Sequence, residues 1–299
     1  MTRIAIVAHD AGGAELISSW LRRGVEPGVE PRLALAGPAL KVFERKLGTR
    51  PNLTLADALH GADRLLTGTG WQSDLEFDAL EAARRLGLPS ASFIDHWVNY
   101  RARFERHGRT VFPDELWVGD DDAAAVARRD LPELTQRRVD NPYFADIRDE
   151  LALLPRHTPD PAGLHVLYVC EPIREHALAR YGNERHWGYT EEEALAFCLD
   201  RLPHLGFPVA QVTVRRHPAE PATKYLDVAA RSPVPLRWGG GAPLVAEVAA
   251  SDCVIGCNSM AMVIGLLAGR RVLSAIPPGG GDCVLPQRAI SLLRDLPVR

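Results

Sequence analysis

The chain has 299 residues, which suits two domains of about 150 residues better than one. Its residues are 46% hydrophobic and 24% charged, and its formal net charge is −3. This balance excludes a disordered or fibrous chain, and the slight negative charge gives no support to nucleic-acid binding.

No apolar run approaches the ~18 residues that span a bilayer, so we expect no membrane span. The first strand is followed at once by a His-Asp pair, which disfavours a signal peptide. The five cysteines form no Cys-x-x-Cys pair, so neither a disulfide framework nor a zinc site is expected. We therefore expect a cytoplasmic protein.

Trp71, Trp187 and Trp238 stand in polar surroundings and leave room for a partner surface, so a homodimer is one hypothesis.

In the first half of the chain, short apolar runs alternate with amphipathic segments, a pattern typical of β-α units around a parallel sheet. We predict strands at residues 4–8, 32–36, 64–67, 90–94, 115–118 and 138–140. We predict helices at residues 13–23, 39–47, 75–86 and 121–129. In the helix at 75–86, the spacing puts Leu75, Ala79, Ala82, Ala83 and Leu86 on the buried face and Glu76 away from it.

Residues 156–163 are rich in proline and lack periodicity, which indicates a linker between domains at 1–155 and 164–299. The second half repeats the pattern. Strands are predicted at 164–169, 210–215, near 236, at 253–256 and at 271–275, and helices at 191–202, 221–230, 243–250, 260–268 and 287–293. The fold class is therefore α/β, with two Rossmann-like, doubly wound parallel-sheet domains facing each other across a cleft. In such sheets, ligands bind at the carboxyl ends of the strands.

The turn after the first strand is the first candidate for chemistry. It contains no Gly-x-Gly-x-x-Gly motif, which disfavours a dehydrogenase. His9 is a candidate base and Asp10 a group that can orient it. The tight turn containing Gly12 and Gly13 offers backbone N–H groups at the start of a helix. In the alternative interpretation, Asp10 caps the helix and His9 packs at the end of the strand.

A second candidate follows the fourth strand, where Asp95, His96 and Trp97 stand next to one another. An aromatic ring beside hydrogen-bonding side chains suits a sugar, because a sugar has apolar faces and a polar rim. The alternative is a helix cap with Trp97 anchored in the core. The run of three aspartates at 120–122 is interpreted as an acidic helix start, and no metal site is predicted.

The third candidate is a basic turn that contains Arg215, Arg216 and His217, with Lys224 on the following segment. Pro218 forces His217 into an extended conformation at the end of the strand. Such a cluster can neutralise a phosphate or diphosphate without a metal. The alternative is an ordinary basic turn on the surface.

The fourth candidate is the Gly-Cys-Asn-Ser segment between a buried strand and an apolar helix. Ser259 is the predicted N-cap, and its hydroxyl together with the amides that follow it forms an anion pocket, with Asn258 and Met260 as further candidates for binding a phosphate. A plain cap without a ligand is the alternative. Cys257 has no His nearby in the sequence, which disfavours it as a nucleophile. Glu171 ends the first strand of the second half and is expected to line the cleft.

The His-Pro turn, followed one β-α unit later by SDCVIGCNSMAMVIGLLAGRRVLSAIP, resembles the donor-binding half of GT-B glycosyltransferases. It is most similar to the group containing bacterial polysialyltransferases, CDP-glycerol phosphotransferases and capsule sugar transferases. UDP-N-acetylglucosamine 2-epimerases and nucleotide-sugar hydrolases are related. The Asp140-Asn141-Pro142 turn resembles their Gly-Asn-Pro segment.

The resemblance implies a metal-independent transferase, without a cofactor, that moves a sugar from a nucleotide-sugar donor to a small acceptor. His217, as imidazolium, and Ser259 would hold the donor phosphates, and Asp10, or His9 oriented by it, would deprotonate the acceptor. An inverting single displacement is the expected mechanism. A hydrolase or epimerase on the same fold is the first alternative. A non-catalytic binding protein is the second, because residues 263–265 lack the acidic residue that often contacts ribose or sugar in the family.

Overall fold

The computed structural model describes residues 1–297, and the chain divides into two compact units. Unit 1 is Met1–Asp146, and unit 2 begins at Ile147. The division falls within a helix, whereas residues 156–163 contain neither helix nor strand. None of the helices in residues 1–297 has the length and apolar character needed to cross a membrane.

Unit 1 alternates strands and helices. Its strands are β1 (Thr2–Ala8), β2 (Val29–Leu35), β3 (Arg64–Thr67), β4 (Ser90–Phe93), β5 (Glu105–Arg106), β6 (Arg109–Thr110), β7 (Glu115–Val118) and β8 (Thr135–Arg138). Its helices are α1 (Ala11–Arg22), α2 (Pro38–Leu47), α3 (Leu55–Leu59), α4 (Leu75–Leu86), α5 (Asp121–Asp130) and the start of α6 (Pro142–Leu153), with a 3₁₀ turn at Arg101–Phe104.

Six strands of unit 1 form a parallel sheet in the order β2-β1-β3-β4-β7-β8, while β5 and β6 form a separate antiparallel hairpin. The last five residues of β1 are all buried, as expected for a strand covered on both faces. On one side of the sheet, the rings of Trp20 and Trp117 pack with centroids 5.4 Å apart. The core of the unit is therefore built around the central strand that leads into the first candidate turn.

Unit 2 has strands β9 (Leu164–Val169), β10 (Val209–Arg215), β11 (Leu236–Trp238), β12 (Cys253–Gly256), β13 (Arg271–Ser274) and β14 (Ile290–Leu292). Its helices are α7 (Ile173–Tyr181), α8 (Glu191–Arg201), α9 (Leu226–Ala229), α10 (Leu244–Ala249) and α11 (Met260–Leu267), with 3₁₀ turns at Leu202–Leu205 and Leu293–Asp295. The sheet is parallel in the order β11-β10-β9-β12-β13-β14, which is the doubly wound order expected.

Several predicted elements are corrected. The segment at 287–293 is not a helix, because residues 290–292 pair in parallel with β13 as the edge strand β14. The strand predicted at 138–140 lies earlier, at Thr135–Arg138, and the helix predicted at 221–230 is only the single turn Leu226–Ala229. The helices Pro142–Leu153 and Ile173–Tyr181 were not predicted.

The buried face of α4 also differs from the prediction. Glu76 is 3% exposed, whereas Leu86 is 65% exposed. The residues that the helix buries are Glu76, Phe77, Ala79, Leu80 and Ala83. The buried face of α4 therefore includes the carboxyl group of Glu76 and excludes Leu86.

Candidate functional site

In unit 1, the strand order reverses between β1 and β3, since β2 lies on one side of β1 and the later strands on the other. Ligands of doubly wound sheets bind at such a reversal, outside the carboxyl ends of the strands. His9 and Asp10 follow β1 there, and Gly68, Thr69 and Gly70 follow β3. The first candidate turn thus occupies the expected position in its own sheet.

His9 and Asp10 form a hydrogen-bonded pair, with 2.7 Å between His9 Nδ1 and Asp10 Oδ1. Asp10 stands at the N-cap position of α1, but its side chain makes no cap hydrogen bond. Its second oxygen instead accepts the backbone N–H of Trp71 at 3.1 Å. When Nδ1–H donates to the carboxylate, Nε2 of the neutral ring carries a lone pair. The arrangement is that of a base and its orienting group.

Glu76 is a functional candidate that the sequence analysis placed on the wrong face of its helix. Its Oε1 atom accepts the backbone N–H of His9 at 3.0 Å, and its Oε2 atom is buried without a hydrogen-bond partner in the described chain. Burial raises the pKa of this carboxyl group to about 7, and the nearby charge of Asp10 adds to the effect. Its position on the first turn of α4 was the one local signal for it.

Asp95 lies against the start of α1. A Cβ atom added to Gly12 would come within 1.8 Å of Asp95 Oδ2, so only glycine leaves room for this carboxylate. Asp95 Oδ1 accepts from Arg103 at 2.7 Å and from the Thr69 hydroxyl at 3.3 Å. Gly13 packs against the backbone of Gly68, where an added Cβ would lie 3.0 Å from the Gly68 Cα. The two glycines therefore allow close approach of neighbouring groups.

Trp97 is 5% exposed, so it is part of the interior and presents no open ring face. Its indole N–H donates to Asp120 Oδ1 at 3.0 Å. The same oxygen accepts the N–H of Ala123 at 2.6 Å, which confirms the acidic helix start at α5. His96 accepts the backbone N–H of Trp97 through Nδ1, and burial lowers the pKa of its imidazole.

Within residues 1–297, no group of three or more His, Cys, Asp or Glu side chains is arranged to hold a metal ion.

In unit 2, the strand order reverses between β9 and β12. Glu171 follows β9, and Cys257 and Asn258 follow β12. Glu171 Oε1 accepts the backbone N–H groups of Cys257 and Asn258 at 2.9 and 2.8 Å. Burial raises the pKa of Glu171 to about 7. Glu171 thus occupies two amides that precede Ser259, whereas the sequence analysis assigned the amides that follow Ser259 to an anion.

Ser259 is the N-cap of α11, as predicted, and its hydroxyl accepts the N–H of Ala261 at 3.2 Å. Asn258 Oδ1 accepts the N–H of Val284 at 2.9 Å and so ties down the loop after β13. Met260, the first residue of the helix, is partly exposed. Cys257 is buried, and burial raises the pKa of its thiol, which disfavours the thiolate that a nucleophile needs.

His217 lies exposed after β10, and its backbone N–H donates to Glu220 at 2.9 Å. Partial desolvation lowers the pKa of the imidazole, which favours the neutral ring over the expected imidazolium. Its Nδ1 atom accepts the N–H of Ala219 at 3.3 Å. The neutral ring therefore carries its proton on Nε2, where it can donate to an anion.

The basic residues near His217 are differently placed. Arg215 donates to Glu247 at 2.7 Å and to the carbonyl of Ala242 at 2.9 Å, so its charge is paired within the fold. The Arg216 guanidinium lies 5.3 Å from the centre of the Trp238 ring, a cation–π geometry. Arg215 is the last residue of β10 and Trp238 the last residue of β11, so both contacts lie at the carboxyl ends of these strands.

Lys224 is buried, with its side chain 4% exposed. Its ammonium group contacts Glu175 at 2.7 Å and Glu220 at 3.1 Å, and it also pairs with Glu191. These carboxylates raise the pKa of Lys224 by hydrogen bonding and charge, against the effect of its burial. The structure thus places this lysine in an internal ion cluster next to the His217 turn.

The sequence matches no protein-family model and no curated protein. The fold, however, is shared with solved structures. Methanocaldococcus jannaschii UDP-GlcNAc 2-epimerase in complex with UDP-GlcNAc and UDP aligns with a TM-score of 0.61 at 9% identity, over 97% of this chain and 88% of that chain. Staphylococcus aureus MnaA with UDP gives 0.55 at 13% identity, over 92% and 79%. Acinetobacter baumannii MurG gives 0.52 at 12% identity, over 93% and 79%. The chain has the GT-B fold, as the sequence predicted.

Proposed function

We propose that this chain is an enzyme that acts on a nucleotide sugar and transfers its sugar to a small acceptor. The observation that carries the proposal is the His9–Asp10 pair, which leaves a lone pair on Nε2 at the strand-order reversal of unit 1. The shared fold supports a nucleotide sugar as the donor, because the epimerase structure is described with UDP-GlcNAc and the MnaA structure with UDP. Within this fold, the His217-Pro218 turn and Ser259 favour the polysialyltransferase and CDP-glycerol phosphotransferase group.

In the proposed reaction, His9 Nε2 takes the proton of the acceptor hydroxyl while Asp10 stabilises the resulting imidazolium. The acceptor oxygen bonds to the anomeric carbon, and the bond from that carbon to the donor phosphate oxygen breaks with its electron pair. His217, donating from Nε2, and Arg216 stabilise the charge on the leaving phosphate. Attack opposite the leaving group makes this an inverting displacement. No metal cofactor takes part in the steps proposed.

A nucleotide-sugar hydrolase or epimerase is the second candidate. One of the structures compared above supports it, since that protein is named a UDP-GlcNAc 2-epimerase. The same Nε2 lone pair that would deprotonate an acceptor can activate a water molecule. The buried carboxyl of Glu76, held against His9, would supply a second proton-transfer group for such chemistry.

The test is incubation of the protein with UDP-, GDP-, CDP-, dTDP- and CMP-linked sugars, with and without a panel of small acceptors. Melting temperature is recorded for each ligand, since binding to the native state raises it. Released nucleotide and sugar products are quantified, and His9→Ala serves as the control for background hydrolysis. We expect nucleotide release that depends on an acceptor and is unchanged by EDTA.

The other outcomes select among the alternatives. Nucleotide release without an acceptor favours a hydrolase, and an isomerised sugar still attached to its nucleotide favours an epimerase. A raised melting temperature without turnover favours a non-catalytic binding protein. Neither binding nor turnover with any of the donors contradicts the proposal.

A further inference from the structure

The imidazole ring of His9 lies against Gly37, which follows β2 and is the N-cap residue of α2. A Cβ atom added to Gly37 would lie 2.6 Å from His9 Nε2 and 2.8 and 3.0 Å from the two ring carbons bonded to that nitrogen. An atom in line with the Nε2 lone pair would be distinctly farther from both carbons than from the nitrogen. The Cβ position is therefore over the face of the ring, and the ring has room there because residue 37 is a glycine.

Backbone hydrogen bonds hold the loop after β2 beside the His9 segment. The N–H of Ala36 donates to the carbonyl of Ala8 at 3.1 Å, and the N–H of Ala39 donates to the carbonyl of His9 at 2.9 Å. Between these two bonds, Gly37 has a φ of 52°, in the left-handed region that favours glycine. Space and backbone conformation therefore both require glycine at this position, and the hydrogen bonds on either side leave the loop little freedom to move away from the ring.

Three groups then restrain His9. Asp10 is hydrogen-bonded to Nδ1 at 2.7 Å, Glu76 accepts the backbone N–H at 3.0 Å, and Gly37 lies against the ring. We propose that Gly37 is a positioning residue for His9, since the absence of a side chain lets the ring rest on the loop after β2 while Nδ1 stays hydrogen-bonded to Asp10. A methyl group at position 37 would push the ring away and break that hydrogen bond. This inference rests on the proposed function, because His9 is the base proposed there.

The variant that tests this inference is Gly37→Ala, and Gly48→Ala is its matched control. Gly48 follows the other end of α2 and has a φ of 71°, so alanine is strained at both positions. A Cβ added to Gly48 would meet no atom of residues 1–297 within 4 Å apart from its neighbours in the sequence. Each substitution is made in the wild type and in His9→Ala, which has no ring for the new methyl group to meet.

Thermal unfolding of these six proteins measures the contact between the ring and position 37. We expect Gly37→Ala to lower the melting temperature by about 2–10 °C more in the wild type than in His9→Ala, because the methyl group overpacks only when the ring is present. Gly48→Ala should lower the melting temperature equally in both backgrounds. Because His9→Ala removes the clash, the double variant remains measurable even if Gly37→Ala alone does not fold.

Two further measurements follow the ring and the reaction. Nitrogen NMR of the imidazole at pH 8 should show wild-type His9 protonated on Nδ1, with its signals assigned by their loss in His9→Ala. Gly37→Ala should lose more than about half of this tautomer to the Nε2–H form. Its kcat should fall about 10²-fold with the donor KM unchanged, because a base that is displaced by ~1 Å is poorly placed to take the proton. Gly48→Ala should keep the wild-type tautomer and kcat.

A Gly37→Ala cost that is the same with and without the His9 ring would overturn the proposal, as would an unchanged His9 tautomer in Gly37→Ala. Neither measurement needs a substrate, so the placement of the ring is tested even if no nucleotide sugar is turned over, in which case the proposed function alone fails. If the protein turns over a nucleotide sugar and Gly37→Ala keeps the wild-type kcat, the proposed function stands and Gly37 has no positioning role.

Discussion

Glu76 Oε1 accepts the backbone N–H of His9 at 3.0 Å, although the two residues are 67 positions apart in the chain. This contact places the buried carboxyl group of Glu76 next to the His9–Asp10 pair. The hydrogen bond fixes the backbone of His9, the proposed base, directly after the end of β1. The other oxygen of Glu76 is buried without a hydrogen-bond partner among residues 1–297, so the group is costly to ionise.

The first prediction is that Glu76 makes unit 1 less stable as the pH rises. Its pKa is about 7 in the folded protein against an ordinary value of 4.5, so the unfolded chain ionises first. The stabilisation is complete below about pH 4.5 and is lost as the pH rises through 7. Glu76→Gln should therefore gain about 2.5 kcal/mol of unfolding free energy relative to the wild type between pH 5 and pH 8. Denaturant unfolding of both proteins at the two pH values measures this difference, and parallel pH profiles would contradict it.

The second prediction concerns the proposed base. His9→Ala should lower turnover of a nucleotide sugar by about 10²- to 10⁴-fold, because it removes the proton acceptor. Asp10→Asn should also lower turnover, since it removes the charge that orients the ring and stabilises its imidazolium form. Steady-state kinetics with a fixed donor separate turnover from KM. If both variants keep wild-type turnover, the pair is not the base.

The third prediction concerns the donor phosphate. His217→Ala should cut turnover by roughly 10²-fold or more, by loss of one donor that stabilises the leaving phosphate. His217→Asn retains an N–H donor on a shorter side chain and should recover part of the loss. The same kinetic assay checks both variants, and unchanged turnover in His217→Ala removes this residue from the mechanism.

The fourth prediction tests the close approach of Asp95 to α1. Gly12→Ala would put a Cβ 1.8 Å from Asp95 Oδ2, and the carboxylate is held by Arg103 on its other side. The variant should lose about 1–3 kcal/mol of unfolding free energy through overpacking. Gly241→Ala is the matched control, because nothing lies within 4 Å of its Cβ position. Thermal unfolding compares the two, and equal melting temperatures would show that Asp95 moves aside without cost.

The fifth prediction separates stability from donor binding at Lys224. Lys224→Met removes the cation that pairs with the buried carboxylates of Glu191 and Glu220 and with the exposed carboxylate of Glu175, so it should cost about 3–5 kcal/mol of unfolding free energy. Lys41→Met, at an exposed position on α2, should be nearly neutral. Denaturant unfolding gives both values. A stable Lys224→Met protein with weakened donor binding would contradict this prediction and support Lys224 as a ligand of the donor phosphate.

Much of the fold was predictable because its signals are local. Runs such as residues 253–256 are apolar at successive positions, which marks a strand covered on both faces, and β12 occupies that range. The helix predicted at 287–293 was wrong because this segment is too short for its own periodicity to distinguish a helix from a strand. Its residues 290–292 form a strand because they pair with β13.

The candidate site was predictable only in part. His9 and Asp10 are neighbours in the sequence, and their pairing follows from a single strand end. Glu76 and Arg103 contact the site from other parts of the chain. The buried face of α4, which includes the Glu76 carboxyl group, differs from the face that the sequence predicted. Lys224 was predicted as a phosphate ligand because two of its three carboxylate partners, Glu175 and Glu191, lie more than 30 positions from it in the sequence.

By itself, the sequence predicted an α/β protein with the GT-B fold and with polar turns after its central strands. Strand ends, glycine turns and helix caps depend on a few consecutive residues, so they can be read locally. Only the tertiary structure decided which charges meet. Glu171 is 86 positions from Cys257, and it reaches the amides after β12 because the sheet order places β12 beside β9. The partner of a buried charge is set by strand order, which no single segment encodes.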